Sequence, residues 1–410
     1  MVKLANDPER TRRTVGTVLY VLAMVAGALL FLGVFVIAPL VELNDPGSYF
    51  GAMLMGAVMA IPALAAYIWI PRIVDRYDPE PWWLLLGALG WGGIAACGFA
   101  AVINTAVGEV GDAVFGDGSG EVLAACVSAP IVEEGFKGLG VLGIYYFVRR
   151  EFDGVVDGVI YAMFTALGFA AVEDVIYYGR AVNMEITHGA GGALGVTFLL
   201  RGIVSPWGHP LFTSMTGIGL GLARESDKPH VRILAPIGGY ACAVFLHSLW
   251  NTAGTIHAAL VLIMLPLWIA AVIGFMFLMA WLVKRKGKII RAFLQDEVLM
   301  GFITPWELDL ISSRTPRIRA NALYGGEAGK RFVDTASRLA LSKWHAQRAS
   351  RGREKTVSAD LVVPLRQELA QIRGQIAHVL RRPIEQPQPF QPGGPPPPWM
   401  QPIPHWVYRR

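Results

Sequence analysis

The sequence predicts an all-α fold, a polytopic membrane bundle of about eight transmembrane helices followed by a helical, partly disordered cytoplasmic tail. Composition is the first observation that predicts it: 54% of the 410 residues are hydrophobic and only 16% are charged, whereas soluble domains carry about 25% charged residues. The second is a positive mean hydropathy of +0.45. The third is that apolar residues are gathered into runs of about 18 residues or more, each able to cross a hydrocarbon core ~30 Å thick.

Eight such runs follow one another along the chain. They are residues 15–40, 49–70, 82–107, 122–148, 155–178, 194–222, 233–255 and 258–283. The first run is longer than the apolar region of a signal peptide and lacks a small-residue cleavage site, so we expect an uncleaved span. In the sixth run, Arg201, Pro206 and Pro210 favour a break into two half-helices, because proline removes a backbone donor.

Basic residues orient these spans. Alternate loops contain them, namely Arg72 with Arg76, Arg149 with Arg150, and Arg224 with Lys228. The positive-inside rule places those loops, and therefore both termini, in the cytoplasm. Much of the formal net charge of +5 lies outside the spans, notably at Lys284, Arg285, Lys286 and Lys288, which favours contact with the lipid bilayer. We expect no nucleic-acid partner.

The composition divides the chain into four segments. We predict a cytoplasmic N-terminus at 1–14, a transmembrane domain at 15–283, a cytoplasmic helical region at 284–382 and a Pro-rich tail at 383–410. Within the helical region, Thr304, Pro305 and Glu307 form a capping-box helix start. A later helix has a narrow apolar stripe suited to a partner helix, formed by Leu365, Leu369, Ile372, Ile376 and Val379. We therefore expect a protein partner for the tail and disorder in its Pro-rich end, which could alternatively dock into an aromatic groove.

Charged and imidazole side chains recur in four consecutive predicted spans. A charged side chain near the bilayer centre is unfavourable by roughly 2.5–3.5 kcal/mol, so such residues should face protein or trapped water. The set comprises Glu133, Glu134, Lys137, Glu173, Asp174, Arg201, His209, His247 and Asn251. Rough depths along the spans allow one site in the outer half to the middle of the membrane.

Spacing relates these residues within each span. Glu133 precedes Lys137 by four residues, which predicts a shared helical face with the lysine as structural counter-ion. The same spacing relates Phe169 to Glu173 and His247 to Asn251. Asp174 lies on a different face from Phe169, so we expect it outside the site. Arg201 either serves the site or extends outward to the interface.

This set of side chains supports the activation of water. A carboxylate in a desolvated cavity can take a proton from water, while an imidazole or amide stabilises the oxyanion of a scissile carbonyl. The candidate catalytic residues are Glu133, Glu134, Glu173, His209, His247 and Asn251. Alternatively, Glu173, His209 and His247 bind zinc and Glu134 acts as base. The spacing leaves open which glutamate is the base and whether a metal is needed.

The same residues resemble the motifs of the PrsW family of bacterial intramembrane proteases. The resemblance rests on E-E-x-x-K at 133–137, F-x-x-x-E at 169–173, His209 and H-x-x-x-N at 247–251. Residues 75–81 also resemble the family's D-R-Y-E-P-E-P signature, with Asp78 in place of glutamate. The resemblance covers roughly 71–283 and implies a metalloprotease in a bacterial plasma membrane. It further implies a membrane-embedded substrate, such as a single-span anti-sigma factor that receives its first cut on the extracytoplasmic side.

The PrsW family is distantly similar to the CAAX prenyl endopeptidases and to their bacteriocin-immunity relatives. In those proteins the second motif ends in histidine, whereas this chain has Glu173. The resemblance therefore does not imply a prenylated substrate.

Two other functions are consistent with an intramembrane polar set. Carboxylates and histidines also form the proton relays of proton- or ion-coupled transporters. Transporters often contain a structural repeat between their halves, and we detect none in the sequence. A catalytically inactive scaffold that acts through its tail would leave the polar set dispensable.

Overall fold

The computed structural model describes residues 8–189, 191–351 and 358–380, and all regular structure in these ranges is helical. The predicted Pro-rich tail, 383–410, lies outside the described residues. The chain divides into two compact units. The membrane unit comprises 1–73 and 80–277, and the tail unit comprises 74–79 and 278–410.

Within the described ranges, six helices are long and apolar enough to cross a membrane. They are Thr11–Glu42, Pro46–Val74, Trp82–Phe115, Val155–His188, Pro229–Ile256 and Ala259–Leu299. The predicted spans 122–148 and 194–222 are not among them, so the number of eight is not confirmed. The span 122–148 contains three charged residues, and the span 194–222 is interrupted. Both carry residues of the candidate site.

The α-helices of the membrane unit vary from short turns to long spans. They are Pro8–Leu32, Ala38–Glu42, Pro46–Tyr67, Trp69–Val74, Trp82–Gly90, Cys97–Phe115, Ser119–Leu123, Ala129–Phe147, Val155–His188, Ala193–Phe198, Gly208–Glu225, Pro229–Ile256 and Ala258–Phe293, the last of which continues into the tail unit. Four π-helical segments join some of these helices, at Gly33–Ile37, Trp91–Ala96, Ala124–Ser128 and Leu199–Val204.

The predicted break in the sixth run is present. The π-helical turn ends at Val204, and a new helix begins at Gly208. Pro206 lies in the interruption, where its missing N–H leaves no helical hydrogen bond unmade. The break separates Arg201 from His209 and gives each its own helical segment.

The central helix, Val155–His188, forms the middle of the membrane unit. In its most apolar stretch 89% of the residues are buried inside the protein, against 6% for Thr11–Glu42. Neighbouring helices approach it closely: a Cβ on Gly92 would lie 1.8 Å from the carbonyl oxygen of Thr165. Lipid cannot reach most of this helix, which therefore can carry polar side chains.

Three hydrogen bonds connect the N-terminal part of the central helix to its surroundings. The buried hydroxyl of Tyr161 donates to the Glu80 carboxylate and to the carbonyl oxygen of Glu151 at 3.0 Å. Arg72 in turn donates to the carbonyl oxygen of Glu80 at 2.8 Å. Glu80 of the signature segment thereby ties the start of the third apolar run to the central helix.

The tail unit has its own core. Its α-helices after Phe293 are Gln295–Leu299, Pro305–Ile311, Pro316–Tyr324, Gly326–Arg351 and Ser358–Leu380. The predicted capping box is confirmed, because Thr304 accepts from the Glu307 amide at 3.1 Å and its own amide donates to Glu307 at 2.6 Å. Leu365, Leu369 and two isoleucines of the predicted stripe are buried in this core, whereas the side chain of Val379 is outside the described set. A protein partner for the tail stays a prediction.

The signature loop is part of the tail unit. Tyr77 is only 5% exposed, and its hydroxyl donates to the carbonyl oxygen of Ser313 at 3.0 Å. Arg76 donates to the carbonyl oxygen of Arg314 at 2.8 Å. The two halves of the signature segment therefore have different partners: Tyr77 packs with the tail helices and Glu80 with the central helix.

Candidate active site

The glutamate helix, Ala129–Phe147, follows the π-helical turn Ala124–Ser128 and buries three charged residues. Glu134 and Lys137 have no exposed surface, and Glu133 is 7% exposed. Proline at the start of this helix is favourable because the first-turn N–H groups need no intrahelical partner. Burial on one helix means that these charges must find partners on neighbouring helices.

Both oxygens of the Glu134 carboxylate are occupied. Oε1 lies 2.5 Å from Lys137 Nζ and 3.1 Å from His247 Nδ1. Oε2 accepts from the hydroxyl of buried Thr213 at 2.8 Å. Glu134 is thus the centre of a saturated buried network.

The Glu133 carboxylate is less occupied. Its Oε1 accepts from Asn104 Nδ2 at 3.4 Å, and Ser128 orients that amide by donating to Asn104 Oδ1 at 2.7 Å. Its Oε2 is buried and has no hydrogen-bond partner among the described residues. The nearest charged or imidazole groups are Lys137 Nζ at 3.8 Å and His247 Nε2 at 3.9 Å.

The proton positions on His247 follow from its partners. Glu134 beside the Lys137 ammonium is a carboxylate and can only accept, so Nδ1 of His247 carries the hydrogen. A neutral imidazole then has its lone pair on Nε2, which faces Glu133 Oε2. Nε2 of His247 and Oε2 of Glu133 lie 3.9 Å apart, too far for a direct hydrogen bond.

His209 uses both ring nitrogens. Its Nδ1 lies 3.0 Å from Lys137 Nζ, and its Nε2 lies 2.6 Å from Glu173 Oε2. An ammonium can only donate, so Nδ1 accepts and Nε2 donates to the carboxylate. His209 thereby connects the glutamate helix to the central helix.

Glu173 shares a guanidinium with its neighbour in sequence. Arg201 Nη2 lies 2.6 Å from Glu173 Oε2, and Arg201 Nε lies 2.7 Å from Asp174 Oδ1. Asp174, which we expected outside the site, shares this guanidinium with Glu173, because the side chain of Arg201 reaches both carboxylates from a separate helical turn. Arg201 serves the site and does not extend away from it.

Aromatic rings pack against the charged and imidazole side chains of the site. Lys137 Nζ lies 4.3 Å from the ring centroid of Phe169, within cation–π range, and Phe169 lies 5.4 Å from the His209 ring. Phe212 stacks on His247 with centroids 5.0 Å apart. These contacts fix the orientations of both imidazoles.

Asn251 borders the same cavity as Glu173, His209 and His247, but its amide is directed elsewhere. Nδ2 donates to the carbonyl oxygen of Ala125 at 2.9 Å, in the π-helical turn before the glutamate helix. Ser248 donates nearby, to the carbonyl oxygen of Cys126 at 2.6 Å. Asn251 therefore joins two helices, and the other five predicted catalytic residues converge.

One group of side chains lies close enough together to hold a metal ion. Glu133, His209 and His247 each offer one ligand atom, and these atoms lie within 4.8 Å of one another. The group contains Glu133 where the sequence suggested Glu173, whose carboxylate instead pairs with Arg201 and His209. The partnerless Glu133 Oε2 and the lone pair of His247 Nε2 fit a bound cation, since both are ordinary metal donors.

Three polar residues near the carboxylates were missed by sequence reasoning. Asn104, Ser128 and Thr213 are uncharged and common in membrane helices, where they hydrogen-bond between helices. Only their positions beside Glu133 and Glu134 distinguish them. Spacing offers a weak signal for one of them, because Thr213 follows His209 by four residues.

The chain matches one family model and three curated proteins. The family model described as PrsW family intramembrane metalloprotease matches residues 80–282. Protease PrsW of Bacillus subtilis (strain 168) is 27% identical over 227 residues, which cover 55% of this chain and 89% of that protein. Protease PrsW of Oceanobacillus iheyensis is 25% identical over 225 residues, 54% of this chain and 93% of its own length. Protease PrsW of Clostridioides difficile (strain 630) is 31% identical over 160 residues, 38% of this chain and 60% of that protein.

No solved structure matches the chain. The matched segment contains every charged and imidazole residue of the site described above, together with three of the six long apolar helices and most of a fourth. Residues 80–282 of this chain therefore match the PrsW family of intramembrane metalloproteases.

Proposed function

We propose that this chain is an intramembrane endopeptidase in which Glu133 is the carboxylate that faces the reacting water. The observation that carries the proposal is the buried Glu133 Oε2, which lacks a hydrogen-bond partner among the described residues and lies 3.9 Å from His247 Nε2. An unsatisfied buried carboxylate oxygen is costly. Its retention is consistent with a position that water or a cation occupies during catalysis.

Glu134 and Lys137 have a supporting role in this proposal. Their contact at 2.5 Å neutralises one buried charge with another, and Thr213 occupies the remaining oxygen of Glu134. Both oxygens of Glu134 already have partners, so Glu134 is less available to a reacting water than Glu133. It holds His247 in the tautomer that directs the Nε2 lone pair toward Glu133.

In the hydrolytic step, Glu133 takes a proton from water as the water oxygen attacks the scissile carbonyl carbon. The protonated carboxyl then gives that proton to the leaving amine as the C–N bond breaks. A positioned carboxylate of this kind contributes typically about 10²–10⁴-fold to rate. The surrounding helices exclude bulk water, which strengthens each electrostatic interaction.

The donor set also fits a metal, and zinc suits one carboxylate and two imidazoles. Glu133, His247 and His209 would bind the ion. When bound, it supplies a Lewis acid at the scissile carbonyl. Nδ1 of His209 is in contact with Lys137 Nζ at 3.0 Å, so binding an ion through that nitrogen would require the lysine to give up this contact.

The substrate class and setting are further parts of the proposal. The membrane-bound substrate is a single-span protein such as an anti-sigma factor, cut on its extracytoplasmic side in a bacterial plasma membrane. The segments that bear Glu133 and His209 are not among the six long apolar helices, but in this proposal they also cross the bilayer. The chain then crosses it eight times, with both termini in the cytoplasm. The family match favours hydrolysis over proton- or ion-coupled transport.

The test uses purified full-length chain in proteoliposomes with single-span proteins tagged at both ends. We expect wild type to release the two tagged fragments of at least one of them and Glu133→Gln to release none. Equal fragment release by both proteins would contradict the role of Glu133. Proton or ion uptake without fragment release would favour transport.

A further inference from the structure

Arg201 lies in the π-helical turn Leu199–Val204, outside the motifs that identified the site. Its guanidinium bridges two adjacent residues of the central helix, with Nη2 at 2.6 Å from Glu173 Oε2 and Nε at 2.7 Å from Asp174 Oδ1. Such charge-assisted bonds from a planar guanidinium fix both distance and direction.

The bridge is enclosed. Side-chain exposures are 23% for Arg201, 21% for Glu173 and 18% for Asp174. The guanidinium also lies 3.9 Å from the ring centroid of Tyr177, one turn further along the central helix. Arg201 is therefore held by two carboxylates and an aromatic face.

The turn that carries Arg201 is itself held in place. Tyr67 donates its hydroxyl to the carbonyl oxygen of Gly202 at 2.5 Å, and Trp268 Nε1 donates to the carbonyl oxygen of Val204 at 3.2 Å. A π-helical turn leaves carbonyl groups without their usual partners, and such turns are frequent at functional sites. These two bonds satisfy two carbonyls that follow Arg201 in the turn and fix its approach to the central helix.

The same Glu173 oxygen that receives Arg201 Nη2 also accepts from His209 Nε2 at 2.6 Å. Free rotation of the Glu173 carboxylate would remove that acceptor. His209 would then lose one of the two partners that keep its hydrogen on Nε2 and its lone pair on Nδ1, the other being Lys137. Through Glu173, the position of Arg201 thus influences an imidazole that it does not touch.

We propose that Arg201 is a positioning residue for peptide hydrolysis, which locks the Glu173 carboxylate so that His209 keeps one tautomer and one ring orientation. The inference rests on the proposed function for its kinetic consequence. Residues that orient a site histidine through a carboxylate typically change activity by roughly 10–100-fold. Asp174 contributes by holding the second edge of the guanidinium.

The kinetic test compares Arg201→Gln, Arg201→Lys and Arg180→Gln in proteoliposomes, using the tagged single-span protein that wild type cuts and Glu133→Gln does not. Arg180 is exposed on the same central helix and is the matched control. We expect Arg201→Gln to lower kcat by roughly 10–100-fold with little change in KM. Lysine should restore part of kcat, since it keeps the charge and one donor but not the planar fork.

The second test needs no substrate. In ¹⁵N-histidine-labelled protein, His209 signals are assigned by their loss in His209→Gln, and nitrogen shifts report which ring nitrogen carries the hydrogen. We expect one tautomer with hydrogen on Nε2 in wild type and in Arg180→Gln. We expect mixed tautomers in Arg201→Gln, and a smaller effect in Asp174→Asn, which keeps the contact between Arg201 and Glu173.

Unchanged kcat and an unchanged His209 tautomer in Arg201→Gln would overturn the inference. A loss of kcat that lysine does not restore, with the tautomer unchanged, would also overturn it and would assign Arg201 a purely structural role. If wild type cuts no single-span protein, the proposed function fails, while the tautomer comparison still decides whether Arg201 positions His209.

Discussion

Lys137 Nζ lies 2.5 Å from Glu134 Oε1 and 3.8 Å from Glu133 Oε2. The lysine is thus closer to the glutamate three residues before it than to the one four residues before it, which the sequence favoured as its partner. Helical neighbours at both spacings share a face, and the contact of His209 with Lys137 at 3.0 Å draws the ammonium to the Glu134 side. The pair divides into one neutralised carboxylate and one that is free on its buried oxygen.

This division predicts that replacing Glu134 costs more stability than replacing Glu133. Glu134→Gln removes the close partner of the fully buried Lys137, and breaking a buried ion pair costs about 3–5 kcal/mol. Glu133→Gln removes a carboxylate oxygen that has no hydrogen-bond partner among the described residues, so we expect little loss of stability. Thermal unfolding of both variants in the same detergent checks this, and equal losses would contradict the assignment.

Thr213 should stabilise Glu134 through its hydroxyl. Thr213→Val keeps the shape and removes the donor at 2.8 Å, and hydrogen bonds to charged groups contribute about 1.5–3 kcal/mol. Thr216→Val is the matched control three residues later, because the buried Thr216 hydroxyl has no partner in the described part of the chain. We expect a lower unfolding temperature for the first variant and an unchanged or higher one for the second. The reverse order would refute the role of Thr213.

Metal content distinguishes the carboxylates. If Glu133, His209 and His247 bind zinc, then Glu133→Ala and His247→Ala should lose it. Glu173→Gln should retain most of the metal, because Glu173 pairs with Arg201 and His209. Elemental analysis after purification without chelators measures this. If the first two variants keep the metal and Glu173→Gln loses it, the metal ligands would instead include Glu173, as the sequence alone suggested.

The tail unit contains a buried ion-pair network that should stabilise it. Glu297 has no exposed surface and contacts Arg366 at 2.7 Å and Lys343 at 3.0 Å. Glu297→Gln should therefore destabilise the tail unit by about 3–5 kcal/mol. The control is Glu368→Gln, whose pair with Arg331 is exposed and worth about 0–1 kcal/mol.

Hydrogen exchange of the helices Gln295–Leu299 and Ser358–Leu380 measures both variants. We expect faster exchange in Glu297→Gln only. Similar exchange in the two variants would mean that the buried network does not stabilise the tail.

Much of the helical architecture could be predicted because lipid imposes it: apolar runs of sufficient length must form helices to satisfy their backbone groups. The capping box at Thr304 and the break near Pro206 were predictable from local chemistry. The number of spans was harder to predict, because the helices that bear Glu133 and His209 contain polar residues that make them less apolar than the other spans. Their burial against other helices, which composition does not report, is what makes those charges tolerable.

The candidate site could be predicted to the level of residue identity but not of pairing. Energetic cost singled out Glu133, Glu134, Glu173, His209 and His247, and they converge. Which carboxylate oxygen is occupied depends on Thr213 and Asn104, whose roles arise only from three-dimensional proximity. The bridge from Arg201 to Asp174 likewise depends on the π-helical turn that carries the arginine.

The most direct test of the central claim is the single-turnover cleavage rate of Glu133→Gln on a tagged single-span protein, measured at a temperature where it and wild type are equally folded. The account predicts a loss of about 10²–10⁴-fold, because the carboxylate that takes the proton from water is gone. A rate within a few-fold of wild type would contradict it and would move the role of base to another carboxylate of the site.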